Sequence, residues 1–147
     1  MTTQTYTDKP WQSLYSDGTP TTIDQEYPTG LDVFDAAVRS APDDPFLYYF
    51  DGTLTFGDVD RASRALAVTL RERGFRDGSR LALYVQNNPA FVIGLIASWR
   101  AGGAAVAINP MNKARELTYL LADSGAVALL TAAALVAVVA VVAVVAA

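Results

Sequence analysis

A chain of 147 residues is long enough for one modest domain with its own core, and 52% hydrophobic residues exclude a wholly disordered polymer. Net charge is −4, lysine occurs only at Lys9 and Lys113, and no basic cluster exists, so a nucleic-acid backbone is not an expected partner. Cysteine and histidine are both absent, which removes thiol nucleophiles, disulfides, Ser-His-Asp triads and the commonest zinc sites.

Residues 1–7 are polar and uncharged, without the basic and apolar stretches of a signal peptide, so the expected location is cytoplasmic. Residues 1–30 are rich in Thr, Asp, Pro and Gly, and read as an irregular arm that Trp11, Tyr15 and Tyr27 anchor to a core. A short helix is predicted over 31–40, with Leu31, Phe34 and Val38 on one face and Pro42 just past its end.

Two β-forming runs, 46–50 and 53–55, flank Asp51-Gly52, the dipeptide favoured in a type I′ hairpin turn. The hairpin feeds a helix. Thr55 and Asp58 approximate a capping box, Val59, Ala62, Leu66 and Leu70 form an apolar stripe, and Gly74 supplies a left-handed stop. Asp60, Arg61, Arg64 and Arg71 fall on the other face.

Residues 81–86 then read as a strand, and Asn88 with Pro89 starts a helix that carries no charge through Trp99. Such a helix is expected to be buried on most sides. Gly102-Gly103 ends it, and 104–108 makes a second strand. Strand, helix and strand fit within about 30 residues, the size of a βαβ crossover. Asn112 is the expected cap of a further helix over 113–123, with Leu117, Leu120 and Leu121 inward; Gly125 closes it and 126–130 is a third strand. The predicted fold class is α/β: incomplete parallel-sheet βαβ layers entered through an antiparallel hairpin.

The tail differs in kind. Asp123 is the last charged residue, residues 132–147 are only Ala, Val and Leu, and Val-Val-Ala repeats over 138–146. A period of three selects neither helix nor strand. The uncharged run is long enough to cross a bilayer, but alanine contributes little to insertion and no basic residues flank its end, so a membrane span is disfavoured. A frame-shifted or artefactual end to a truncated chain is the expectation. The expected organisation is thus an arm over 1–30, a partial subdomain over 31–130 and a low-complexity tail over 131–147.

No constellation for chemistry emerges. Gly102-Gly103 lacks the Ser, Thr or Lys of a phosphate loop, and no dinucleotide fingerprint occurs. Asp43-Asp44 lies between Pro42 and Pro45 and reads as a solvated turn rather than a metal or acid/base pair. Asn87-Asn88 and Asn109 follow the carboxyl ends of the crossover strands, the edge where α/β sheets bind ligands, but helix capping and turn formation account for them. No catalytic, cofactor-binding or metal-binding residue is assigned.

Five stretches carry a family likeness. They are Asp51-Gly52-Thr53-Leu54-Thr55-Phe56-Gly57-Asp58, Ala62-Ser63-Arg64-Ala65-Leu66-Ala67, a segment from Gly78 to Pro89 containing Leu81-Ala82-Leu83-Tyr84-Val85, the run Ala101-Gly102-Gly103-Ala104-Ala105-Val106-Ala107-Ile108-Asn109-Pro110, and the final series Glu116-Leu117-Thr118-Tyr119-Leu120-Leu121-Ala122-Asp123-Ser124-Gly125-Ala126. In this order they resemble the beginning of the AMP-forming, adenylate-forming ligase superfamily, most of all its fatty acyl-CoA synthetases, over about residues 31–130. The resemblance implies an N-terminal segment of an enzyme that joins a carboxylic acid to ATP as an acyl-adenylate, then transfers the acyl group to coenzyme A. It also implies that ATP, Mg²⁺ and CoA serve the full-length protein through parts downstream: a Ser/Thr/Gly-rich loop, a Tyr-Gly-x-Thr-Glu segment, a ribose-binding Asp and a C-terminal lysine. None occurs in this sequence, and Lys9 and Lys113 match none of their contexts, so the chain alone is expected to be inactive and to bind no cofactor. With an open sheet edge it is also expected to be poorly folded or aggregation-prone by itself. The alternatives are a non-catalytic binding module and a membrane-tethered fragment.

Overall fold

The run Arg80–Tyr84 (β3) is the centre of the fold, because alternate residues bury opposite faces of one strand. In the computed structural model, which describes residues 6–132, Leu81, Leu83 and Val85 pack to one side and Ala82 and Tyr84 to the other. β4 (Ala104–Ala107) and β5 (Ala128–Thr131) flank β3, both parallel to it, in the order β4-β3-β5. The register runs from Arg80↔Ala104 to Leu83↔Ala107 on one side and from Leu81↔Ala128 to Tyr84↔Thr131 on the other.

Three helices cover this sheet. On the Leu81 face lie α2 (Phe56–Glu72), through Ala67 and Leu70, and α3 (Pro89–Arg100), through Ala97 and the partly buried Phe91 and Leu95. On the Tyr84 face lies α4 (Ala114–Ser124), through Leu117, Leu120 and Leu121. Full burial of an aliphatic side chain such as Leu83 or Leu117 contributes about 1.5–3 kcal/mol. The connection through α4 steps back across β3, so the strand order reverses there.

α3 is apolar all round because both its sides are covered. Phe91 and Leu95 meet the sheet, while Val92, Ile93, Ile96 and Trp99 join a second layer with Phe34 of α1 (Gly30–Ser40) and Val59 of α2. Contact with the sheet is close at Gly94, where an added Cβ would lie 2.8 Å from Leu83 Cδ2 and 2.7 Å from Leu130 Cδ2. The helix ends at Gly102, φ +80°, with Gly103 N–H donating to Ser98 O at 2.8 Å and Gly102 N–H to Trp99 O at 3.0 Å. This double reverse turn satisfies two carbonyls that the helix end would otherwise orphan.

The hairpin joins β1 (Pro45–Tyr49) to β2 (Gly52–Thr55). Its turn is not the one the sequence suggests. Tyr49 pairs with Gly52, so Phe50 and Asp51 form the loop; the positive φ of 52° falls on Phe50, and Gly52 belongs to the strand. Leu47 pairs with Leu54 and both face the helices, and a register shift between Pro45 and Leu47 lets Phe46 do so too. Burial of that face sets the register and overrides the dipeptide preference.

Three further expectations are corrected. Asn112 does not cap α4: Lys113 holds the cap position, and its N–H donates to Glu116 Oε2 at 3.0 Å. Asp60 does not face solvent but turns under α3. In the arm, Trp11 packs on Tyr6 at 4.8 Å between centroids and Tyr15 is exposed. Within residues 6–30 no side chain is fully buried, although Trp11 and Tyr27 are half-buried. The Ala/Val tail lies, beyond Ala132, outside the described residues.

Candidate functional site

The carboxyl edge of the parallel sheet is where ligands of open α/β sheets bind. Here β3 continues through Val85, Gln86, Asn87 and Asn88 into α3, and β4 through Ile108, Asn109, Pro110 and Met111 towards α4. Together with Phe91, these two loops line an open cleft of about 510 Å³. A smaller cleft of about 290 Å³ lies between the hairpin residues Leu47, Tyr48 and Tyr49 and the start of α3, and shares Asn87 and Phe91 with the first.

The loops are held by their own polar groups. Asn88 Oδ1 accepts from Ala90 N–H at 3.0 Å, which makes Asn88 the N-cap of α3. Asn109 Oδ1 accepts from Met111 N–H at 2.9 Å, and Asn109 O from Asn112 N–H at 3.0 Å, giving a tight turn after β4. Beneath them the fully buried Tyr84 donates from its hydroxyl to Asn112 O at 2.6 Å, tying the central strand to the entry of α4. Two of the three asparagines singled out in the sequence are thus occupied in capping and turn formation. The exposed side chains of Asn87 and Gln86 make no hydrogen bond among the described residues, although Gln86 O accepts from Asn88 N–H at 2.8 Å.

These groups can hydrogen-bond a neutral polar ligand, with the phenols of Tyr48 and Tyr49 added in the smaller cleft, but they include no carboxylate. No lysine or arginine lines either cleft, and among the described residues no three acidic side chains converge on a point where a metal ion could sit. The residues present therefore do not fit Mg²⁺·ATP. Asp43 and Asp44 are exposed in the turn before β1, where Asp44 acts through its backbone, receiving the Phe56 N–H at 3.1 Å. Lys9 sits in the arm in a left-handed conformation, and Lys113 stands at the start of α4.

The strongest polar assembly lies elsewhere and was not foreseen. Arg100, at the end of α3, is 8% exposed and donates from Nη2 to Asp35 Oδ1 of α1 at 2.5 Å and to Asp60 Oδ1 of α2 at 2.6 Å. Its Nε donates to Ser63 Oγ at 3.2 Å, and its guanidinium lies 5.8 Å from the centre of the Phe34 ring. Arg64 adds a fork to Asp60 at 2.9 and 3.0 Å, and that hydrogen bond raises the Arg64 pKa further. The partners lie 65 and 40 residues upstream of Arg100, so no local pattern announces them; an arginine closing an uncharged helix was the one available signal. Among the described residues no buried side-chain nitrogen or oxygen lacks a hydrogen-bond partner, and the cluster joins three helices without opening a site.

Comparison with known proteins adds the family. A family model described as AMP-binding enzyme matches residues 34–147. The long-chain-fatty-acid–CoA ligase of Haemophilus influenzae is 39% identical over 125 residues, which are 84% of this chain and 22% of that protein. Surfactin synthase subunit 3 of Bacillus subtilis is 36% identical over 98 residues, 67% of this chain and 8% of that protein. Among solved structures, O-succinylbenzoate coenzyme A synthetase from Bacillus subtilis, in complex with AMP, superposes with a TM-score of 0.65 at 30% identity, covering 69% of this chain and 26% of that one. The chain spans well under two thirds of each of these proteins.

Proposed function

The chain belongs to the AMP-binding enzyme family, and from that premise we propose that it forms the opening layers of an acid–CoA ligase. The whole protein would activate a fatty or other carboxylic acid with ATP and transfer the acyl group to coenzyme A in the cytoplasm, using Mg²⁺. One observation carries the proposal: identity of 39% to a long-chain-fatty-acid–CoA ligase along 84% of the chain. These residues supply the scaffold of the first parallel strands and none of the steps, since the sheet-edge clefts offer amides, two phenols and apolar groups but no charged side chain.

A peptide-synthetase adenylation domain is the second enzymatic possibility, favoured by the surfactin synthase match over a shorter share of the chain. A non-catalytic pairing module draws support from β4 and β5, each of which has one unpaired side among the described residues. The tail on which a membrane-tethered fragment would rest lies outside the described residues, among which no helix is long and apolar enough to cross a membrane.

The test is ATP–pyrophosphate exchange by the purified chain with fatty, aryl and amino acids offered in turn. No exchange is expected with any of them. Exchange above background with one acid would place catalytic groups within these residues and refute the scaffold assignment.

A further inference from the structure

Three Asp-Gly steps occur in the chain, at Asp17-Gly18, Asp51-Gly52 and Asp77-Gly78. Such a step can rearrange spontaneously. The glycine nitrogen attacks the aspartyl side-chain carboxyl carbon, a C–N bond forms, a C–O bond breaks and water leaves. Water then opens either carbonyl of the cyclic imide, restoring aspartate or leaving isoaspartate, in which the main chain runs through the former side chain. Water and its protons are the only other participants. Glycine favours closure because no Cβ obstructs the approach of its nitrogen. A nitrogen engaged in a hydrogen bond, or a carboxylate held by a cation, opposes it.

The three steps differ in these respects. At Asp77-Gly78 both reacting groups are held: Gly78 N–H donates to Gly102 O at 2.8 Å, and Asp77 Oδ1 accepts from Arg71 Nη1 at 2.6 Å. At Asp51-Gly52 the carboxylate is exposed, but Gly52 is paired with Tyr49 in the hairpin ladder. At Asp17-Gly18 nothing restrains either group. Thr19 N–H closes a turn onto Ser16 O at 3.0 Å, Gly18 has φ +81°, and a Cβ there would meet no atom within 4 Å. Neither Gly18 N–H nor the exposed Asp17 carboxylate has a hydrogen-bond partner among the described residues.

We propose that Asp17 is a site of spontaneous isoaspartate formation, and hence a methyl acceptor for enzymes that recognise isoaspartyl carboxylates. The experiment ages the purified chain near neutral pH and then labels it with a protein isoaspartyl methyltransferase and a radioactive methyl donor. Tryptic mapping reads the sites, because each Asp-Gly falls in its own tryptic peptide. In native buffer the Asp17 peptide should carry about fivefold more label than the Asp77 peptide, or more, the factor that one net hydrogen bond supplies. In strong urea the three peptides should label comparably. Asp17→Glu should remove the label from its own peptide and leave the others unchanged. Equal labelling of the Asp17 and Asp77 peptides in native buffer, or an unlabelled Asp17 peptide, overturns the proposal.

Discussion

Arg100 shows how one charge can hold three helices together. Its guanidinium is shared between Asp35 and Asp60 and is nearly excluded from water, so removing it leaves two partly buried carboxylates facing each other without a cation. Arg100→Leu should lower stability by about 3 kcal/mol, as breaking a buried pair by removing one partner does. The urea midpoint, followed through the fluorescence of neighbouring Trp99, measures this; an unchanged midpoint would show that the network contributes nothing. Thr55 and Asp58 are the contrasting case. Asp58 Oδ2 accepts from Thr55 N–H at 3.0 Å, and Thr55 Oγ1 accepts from Asp58 N–H at 3.1 Å. Bonds from the Thr55 backbone and hydroxyl hold the Asp58 pKa below the usual carboxylate value. Because the folded-state pKa is depressed, this contribution is fully present above the unfolded-state pKa and is lost as pH falls through the folded one. Thr55→Ala should destabilise α2 by about 1 kcal/mol at neutral pH, with the difference from wild type narrowing in acid; urea titrations at the two pH values test both statements. The capping box was legible in the sequence because its partners are three residues apart. The Arg100 cluster was not, because its partners meet only when α1, α2 and α3 pack.

Among the elements, the regular ones were the most readable. Among the described residues, local patterning located the four α-helices and five strands to within a few residues, since each buries a face whose spacing is written locally. The hairpin was found but misaligned by one residue at its turn, because cross-strand burial of Leu47 and Leu54 decides what the dipeptide only prefers. Strand order was not readable at all: nothing local tells β5 to add beside β3 rather than beyond β4. Glycines at close approaches rank differently once the packing is known. An added Cβ at Gly103 would lie 2.4 Å from the Ser79 carbonyl oxygen, a backbone atom that cannot step aside, whereas at Gly94 it would meet the ends of two leucine side chains. Gly103→Ala should therefore cost about 2 kcal/mol or more, within the range for overpacking. Gly94→Ala should cost less, because leucine rotamers can yield and alanine favours the helix by about 1 kcal/mol. Thermal unfolding of the two variants checks the order; a reversed order would contradict the packing described for the α3–β4 junction.

At the scale of the whole molecule, the described sheet has two open edges, and apolar residues such as Val127 and Met111 stand in water. A sheet with free edges recruits further strands. Sedimentation of the purified chain should accordingly reveal self-association that grows with concentration, and a monodisperse monomer with a sharp thermal transition would speak against it. The lining of the two clefts explains why the function was legible only through family likeness. The sheet edge that would receive a ligand is present, but the charged groups that handle phosphates are absent from both clefts. The central claim is that these residues are interchangeable with the opening segment of an acid–CoA ligase. The most direct test replaces the matching segment of the Haemophilus influenzae ligase with residues 31–130 of this chain and measures acyl-CoA formation from a long-chain fatty acid. The account predicts a folded chimera that forms the thioester. A folded chimera without thioester formation, while the same segment supports amino-acid activation in a surfactin synthase adenylation domain, would contradict it.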